Sequence, residues 1–424
     1  MLAYQRRILD DLLDDLFPQL AAIAIDGAKG VGKTALASQR VVTTLDLTNP
    51  QRRQIAIDNY DLVAQVPTPV LIDEWQLVPS VWDRVRRAVD EDPAGGRFLL
   101  TGSAGIAPGV RIHSGAGRIV SMRLRPMTLA ERAIEQPTVS LGKLLGGIEP
   151  IIEGNTHVEL AQYVDEILRS GFPGIRGLGQ SARTAQLNSY ISHVVQRELV
   201  QDGAAVRRPT ALRQWLGAYA AATSTSASYQ TILDAATPGE SEKPSRQTAT
   251  VYRDLLARLF VLDPLEAWMP AFAPLTRLTK TPKHHLVDPA LAARLMGVGF
   301  EGLLQGKGQR VAVATGTWLG ALFESLVVQS VRVYAESVGA TVGHLRTQDT
   351  KQEIDIIVEA DNRDVVAIEV KLSGSVTDHD VRHLNWLKQQ LGQRVVDRVC
   401  ITTGPYAYRR PDGVAVVPFA LLGP

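Results

Sequence analysis

The sequence predicts an α/β chain, with a parallel-sheet core at its amino-terminal end, polar helices in the middle and a second α/β unit at the carboxyl end. Three observations carry that prediction. Short apolar runs alternate with helix-patterned segments over residues 21–103, a glycine-rich turn joins the first run to a helix, and a long apolar helix with two strand-like runs follows residue 320. Such alternation favours a sheet covered on both faces.

Leu2, Ile8, Leu9, Leu12, Leu13, Leu16 and Phe17 fall near helical spacing, and Pro18 closes that helix. AAIAID at 21–26 reads as a buried strand, and ALASQRVVTTL after the glycine-rich turn reads as a helix. RQIAID at 53–58, PVLIDE at 69–74 and RFLLTGS at 97–103 read as further strands, with WDRVRRAVDE at 82–91 as a helix. These place a core in residues 1–130. Residues 131–185, polar and broken by glycines, read as a helical lid or linker. Residues 186–296 hold QLNSYISHVVQRELV, ALRQWLGAYAAAT, YQTILDAA and SRQTATVYRDLLARL, and then VLDPLEAW, an order that suggests a winged helix-turn-helix. Residues 297–424 return to α/β character.

Composition narrows the function classes. The chain has 424 residues, of which 45% are apolar, and 45 Lys and Arg against 44 Asp and Glu give a net charge of +1. Wholesale disorder is excluded, and so is a general polyanion binder; any nucleic-acid contact must come from a local basic surface. The single cysteine, Cys400, allows no intrachain disulfide and no cysteine zinc cluster, which fits a reducing cytosol. Asp10, Asp11, Asp14 and Asp15 stand where a signal peptide needs an apolar run, and Pro418 interrupts the apolar stretch 413–423. The expectation is a cytoplasmic protein with no membrane partner.

GAKGVGKT at 27–34 matches GxxxxGK[ST] between a strand and a helix, where a phosphate-binding loop belongs. Its amides, from Gly27, Ala28, Lys29, Gly30, Val31 and Gly32, would curl round phosphate oxygens, Lys33 would reach the β- and γ-phosphates, and Thr34 would ligate Mg²⁺. In PVLIDEW, Asp73 would face the Mg²⁺ shell and Glu74 would polarise an attacking water. Thr101 and Ser103, ending the next strand, would orient that water or sense the γ-phosphate. An Asp-Glu pair with a polar strand end, and no [NT]KxD guanine reader, points to an AAA+/ASCE-like P-loop ATPase. For the positive charge needed at the γ-phosphate, Arg118 is the candidate, with Arg111, Arg123 and Arg125 competing.

GAKGVGKT, VLIDEW, FLLTGSA, RLRPMTLAE, SGFPG at 170–174, HVVQREL, KTPKHHLVDPAL, GALFES, QEIDIIV and AIEVKLS, in this order, resemble the bacterial and archaeal AAA+-type ATPases that carry a C-terminal domain of unknown function. The resemblance covers nearly the whole chain. Its usual phosphate loop reads GPRQVGKT; Ala28 and Lys29 replace the Pro-Arg pair here, keeping a charge but not the guanidinium fork.

The carboxyl region has its own chemistry. A helix carrying Glu324 precedes the strands EIDIIVEA and VVAIEVKLS, and alternation in the second puts Glu369 and Lys371 on one face and Ile368 and Val370 on the other. Asp355, then Glu-x-Lys, with a helical Glu upstream, is the pattern of a PD-(D/E)xK restriction-nuclease-like domain. Asp355, Glu369 and Glu324 would hold a second Mg²⁺ or Mn²⁺, and Lys371 would stabilise developing charge. The bland alternative is a degenerate domain used for binding. His379 and His383 read as a surface helix, and His284, His285 and Asp288 as structure. Arg246, Gln247, Tyr252 and Arg253 on the last helix of the middle region, its supposed recognition helix, are candidate DNA contacts.

Two functions follow. One is an ATP- and Mg²⁺-dependent ATPase controlling a winged helix and a nuclease-like module that acts on DNA; the other is a nucleotide-gated switch that binds a protein partner or DNA without cutting. A homo-oligomer would let Arg118 serve a neighbour's site.

Overall fold

The computed structural model describes residues 4–105, 113–147, 150–198, 209–236, 246–270, 278–305, 310–311 and 315–424. Arg111, the turn TPGESEKP at 237–244 and part of the glycine-rich stretch 297–310 lie outside them. The first element, α1, spans Ile8–Leu16, and β1 follows at Ala22–Asp26. After the loop come α2 (Lys33–Ala37), β2 (Thr43–Asp46), α3 (Pro50–Asp58) and α4 (Leu62–Gln65). They are followed by β3 (Val70–Asp73), α5 (Ser80–Glu91), β4 (Phe98–Gly102) and β5 (Ile119–Arg123).

These strands form one parallel sheet in the order β2-β3-β4-β1-β5. Ile23 and Ile25 pack with Leu9, Leu13 and Phe17 of α1 in one apolar cluster, while Ala22 and Ala24 pack with Trp82 and Val85 of α5 in another. The two-residue alternation of β1 therefore sends its side chains to opposite, helix-covered faces.

RQIAID is not a strand. Asn49 accepts hydrogen bonds from the amides of Gln51 and Arg52, and Pro50 supplies the first helical residue, so this stretch belongs to α3. Ile55 and Ile57, half exposed, never enter the core. The missing strand is Thr43–Asp46, from the end of the segment read as one helix; α2 stops at Ala37 and a short 3₁₀ turn, Ser38–Arg40, follows.

The second sheet has seven strands. In order they are Thr341–Arg346, Glu353–Glu359, Val365–Val370, Val395–Thr402, Ala415–Pro418, Tyr406–Arg409 and Gly154–Asn155. The long helix Gly316–Ser337 packs on one face through Ile356, Val358, Ile368 and Val399; the helix Asp378–Leu391 covers the other, against Ile357, Ala367 and Cys400. The last strand of this order comes from the expected lid. Residues 131–185 are thus not a separate cap: Gly154–Asn155 pairs with Tyr406–Ala407, and Val139–Ser140 pairs with Leu422–Gly423.

Between the sheets lie the helices Pro209–Ala221, Tyr229–Ala236 and Arg246–Arg258. A short antiparallel ladder follows, in which Val287 N donates to Val261 O, Asp263 N to His285 O, and Leu265 and Lys283 exchange amide hydrogen bonds, all at 2.9 Å. One apolar cluster runs from α1 and β1 through these helices to the second sheet. No helix among the described residues is long and apolar enough to cross a membrane.

The turn out of β1 is tight: a Cβ on Gly27 would lie 2.2 Å from the carbonyl oxygen of Leu124, just past β5. Backbone cannot yield there as a side-chain tip can. Gly27→Ala is expected to destabilise the fold by about 3 kcal/mol or more. Urea unfolding measures it, and an unchanged midpoint would contradict the close approach.

Candidate functional site

The loop 27–34 sits at the carboxyl edge of the first sheet. Gly30 and Gly32 take φ of 85° and 103°, values that side chains resist, and Gly32 caps α2 in the left-handed conformation. Ala28 and Val31 turn inward and are fully buried, which anchors the loop while Lys29 and Gly30 stay exposed. Lys33 arches back over it, its Nζ donating to Gly27 O at 2.8 Å and Ala28 O at 3.1 Å. Burial pushes the ammonium pKa down, opposed by the nearby charges of Glu74 and Asp73. An anion in the loop would relieve that cost.

Because β4 lies between β1 and β3, three strand ends converge beside the loop. Thr34 Oγ1 donates to Asp73 Oδ1 at 2.8 Å, and Thr101 donates to the same oxygen. A hydroxyl and a carboxylate so placed fit Mg²⁺, which takes one or two protein oxygens and completes its shell with phosphate and water. Glu74 follows in a left-handed conformation with φ 56°, a cost of order 1 kcal/mol that sites of chemistry often carry. Ser103 Oγ donates to Glu74 Oε2 at 2.6 Å, and Gln76, which sequence reading passed over, donates to the same oxygen.

Asp26 was also missed. It ends β1 opposite Gly102 and Arg123, and a Cβ on Gly102 would come 3.3 Å from its carboxylate. Burial raises its pKa to about 6, against the pull of Lys33 and Arg123.

Arg118 lies elsewhere. It precedes β5, whose other end, Arg123, is level with Asp26, so it stands roughly 16 Å away along the strand at the far edge of the sheet. There it pairs with Asp90 at 2.9 Å. Arg123 is at the phosphate edge, stacked on Phe260 at 5.1 Å and paired with Asp263 at 3.2 Å, and its Nε and Nη2 are buried without hydrogen-bond partners among the described residues. Arg125 is buried with Asp263 and Glu336.

SGFPG also gains a place. Phe172 and Pro173 lie against the loop, each 3.9 Å from where a Cβ on Gly30 or Gly32 would stand. Asp288 holds this cover, accepting from Ser170 Oγ at 2.8 Å and Gly171 N at 2.7 Å while capping the helix Pro289–Leu295.

In the carboxyl unit, Glu324, Asp355, Glu369 and Lys371 do come together. Lys371 Nζ donates to Glu369 Oε1 at 2.7 Å, and Val370 N donates to Asp355 Oδ2 at 2.9 Å. A residue outside the predicted set lies among them: Lys283 Nζ stands 2.8 Å from Asp355, 3.0 Å from Glu324 and 3.3 Å from Glu353, and its side chain is 1% exposed. Burial and the charge of Asp355 raise Glu324 to about 8, and the same causes raise Glu369 to about 8. Burial alone would raise Asp355 too, but Lys283 outweighs it and the pKa falls. Two lysines thus lie among four carboxyls, Lys283 paired with Asp355, Glu324 and Glu353 and Lys371 with Glu369. Among the described residues no group of three or more His, Cys, Asp and Glu could hold a metal ion. The expected ligation by Glu324, Asp355 and Glu369 does not fit this arrangement as it stands, because Lys283 takes an oxygen of Glu324 and of Asp355 and Lys371 takes one of Glu369.

Tyr252 is core, 5% exposed, and so is not a DNA contact; Arg253 stacks on Tyr229 at 5.1 Å and pairs with Asp254, while the Arg246 side chain lies outside the described residues. His383 Nδ1 lies 2.7 Å from Glu353 O, a structural contact on the helix Asp378–Leu391.

Residues 19–133 match the family model described as an AAA domain, residues 160–301 a domain of unknown function (DUF8612), and residues 319–422 another (DUF4143). Uncharacterized proteins of Mycobacterium bovis and Mycobacterium tuberculosis are each 25% identical over 352 residues, 80% of this chain and 68% of theirs. The Walker-type ATPase PABY2304 of Pyrococcus abyssi aligns structurally with a TM-score of 0.38 and 13% identity, over 69% of this chain and 96% of that one. With the loop geometry, the AAA match makes the amino-terminal part an α/β P-loop ATPase core and supports a nucleotide-binding, ATPase-like function.

Asp26 gives this site a pH signature. A carboxyl whose folded pKa is raised from 3.8 to about 6 holds its proton longer in the folded state, so stability falls as pH rises between those values and the cost is complete above them. Asp26→Asn should match wild type near pH 4 and exceed it well above pH 6 by on the order of 3 kcal/mol. Urea melts of both proteins across that range measure the difference.

Proposed function

We propose that this protein is a Mg²⁺-dependent ATPase whose nucleotide state governs the attached helical and nuclease-like parts. The observation that carries the reading is the 2.8 Å contact of Thr34 with Asp73, which joins the phosphate loop to the tip of β3. Thr34 and Asp73 would hold the ion, which supplies charge neutralisation at the phosphates. Lys33, released from Gly27 O and Ala28 O, would turn its ammonium to the β- and γ-phosphates. Glu74 would take the proton of the attacking water, its carboxylate steered by Ser103 and Gln76, and Thr101 would keep Asp73 in place. Arg123, whose Nε and Nη2 have no hydrogen-bond partner among the described residues, would meet the γ-phosphate from the phosphate edge. Arg118, at the far edge, would serve only the site of a second copy in a homo-oligomer.

For the carboxyl unit, the buried Lys283 favours the second reading, a nucleotide-gated switch whose nuclease-like domain binds a protein or DNA without cutting in its resting state. The middle helices with their ladder resemble a winged helix, and Gln247 and Arg253 remain its candidate DNA contacts.

Turnover measurements test the ATPase. Lys33→Ala should lose ATP binding, whereas Glu74→Gln should bind ATP yet hydrolyse it about 10²-fold or more slowly. Chelation of Mg²⁺ should stop turnover in wild type. Undiminished hydrolysis in both variants would refute the assignment.

A further inference from the structure

The segment Lys283–Asp288 connects two places that nothing in the local sequence links. At one end, Asp288 pins Ser170 and Gly171, and through them Phe172 and Pro173 over the phosphate loop. At the other end, Lys283 fills the carboxylate centre. Between them the segment is held by isolated bridges and backbone hydrogen bonds to Val261, Asp263 and Leu265. His285 is fastened at Ser325 Oγ, 3.1 Å away, on the same long helix that carries Glu324. Displacing either end would strain these shared backbone hydrogen bonds.

We propose that Lys283 is an internal counter-cation that closes the Glu324–Asp355–Glu369 centre to divalent metal, and that the Lys283–Asp288 segment couples this closure to the state of the phosphate loop. In the closed state the Lys283 ammonium supplies positive charge to Glu324 and Asp355, and Lys371 hydrogen-bonds Glu369. A shift of SGFPG when nucleotide enters would draw on Asp288, and with it on Lys283. The second half of the proposal rests on the loop being a nucleotide site; the first half does not.

Equilibrium dialysis of the full chain with Mn²⁺ alone, without nucleotide, tests the first half. Wild type should take up no Mn²⁺ that Asp355→Asn removes. Lys283→Met should gain one Mn²⁺ per chain at least 10-fold more tightly, lost again on adding Asp355→Asn. Wild-type uptake sensitive to Asp355→Asn, or a folded Lys283→Met without the gain, would overturn closure. Should Lys283→Met not fold, Lys283 acetylation by acetic anhydride, read by mass spectrometry on wild type, decides instead. Inertness at Lys283 beside reactive surface lysines supports closure, and ready labelling overturns it.

The same labelling tests coupling. With a non-hydrolysable ATP analogue and Mg²⁺, binding being confirmed separately by filter retention, labelling of Lys283 should rise at least 3-fold in wild type and not in Asp288→Asn. Retained analogue with unchanged labelling would overturn coupling, whereas no retention would refute the nucleotide site itself.

Discussion

One buried carboxylate ties together charged groups from both halves of this molecule. Asp263 accepts Arg123 and Arg125 from the exit of the first sheet and Arg332 from the long helix beneath the second, at 3.2, 3.0 and 2.7 Å. Burial would raise its pKa, but the three guanidinium groups overcome that and hold it well below the usual carboxylate range. Removing one partner of such a cluster typically costs 3–5 kcal/mol, because charge is left stranded in low dielectric. A free hinge between the halves is therefore ruled out at this point. Any message between them must travel as a small displacement of packed elements.

Neighbours, not residue type, give each aspartate its task. Asp73 accepts from two threonine hydroxyls, those of Thr34 and Thr101. Asp288 spends its oxygens on backbone amides and a serine, so it is a fastener. Asp355 is matched by an ammonium and has little left to offer an ion. Asp26 has no hydroxyl or ammonium in hydrogen-bond contact among the described residues and is pushed towards its neutral form by burial. The four differ in solvation and in the charge of what faces them, and those are the variables that set carboxylate behaviour.

How much was legible follows from the range of the interactions involved. GAKGVGKT and VLIDEW were readable because loop shape, strand end and helix start are all set within a few residues. RQIAID misled because its alternation suits a buried strand, while the stronger signal, Asn49-Pro50 at a helix start, lay just before it. Tyr252 resembled a surface contact on a helix whose partner faces were unknown. The lid misled in the same way, since a two-residue edge strand such as Gly154–Asn155 has no pattern of its own and exists only where another strand awaits it.

Sequence alone determined the α/β class and the glycine-rich loop between a strand and a helix, because periodicity and short motifs encode them locally. Tertiary structure decided what the candidate side chains face. It put Arg123 rather than Arg118 at the phosphate edge, laid SGFPG over the loop, and brought Lys283 into a carboxylate centre 41 residues before Glu324 and 72 before Asp355. Charge pairing across such separations depends on which surfaces pack together. The near-neutral sum of the whole chain conceals it, for carboxylates that suggested a metal site are paired with a lysine from a distant segment.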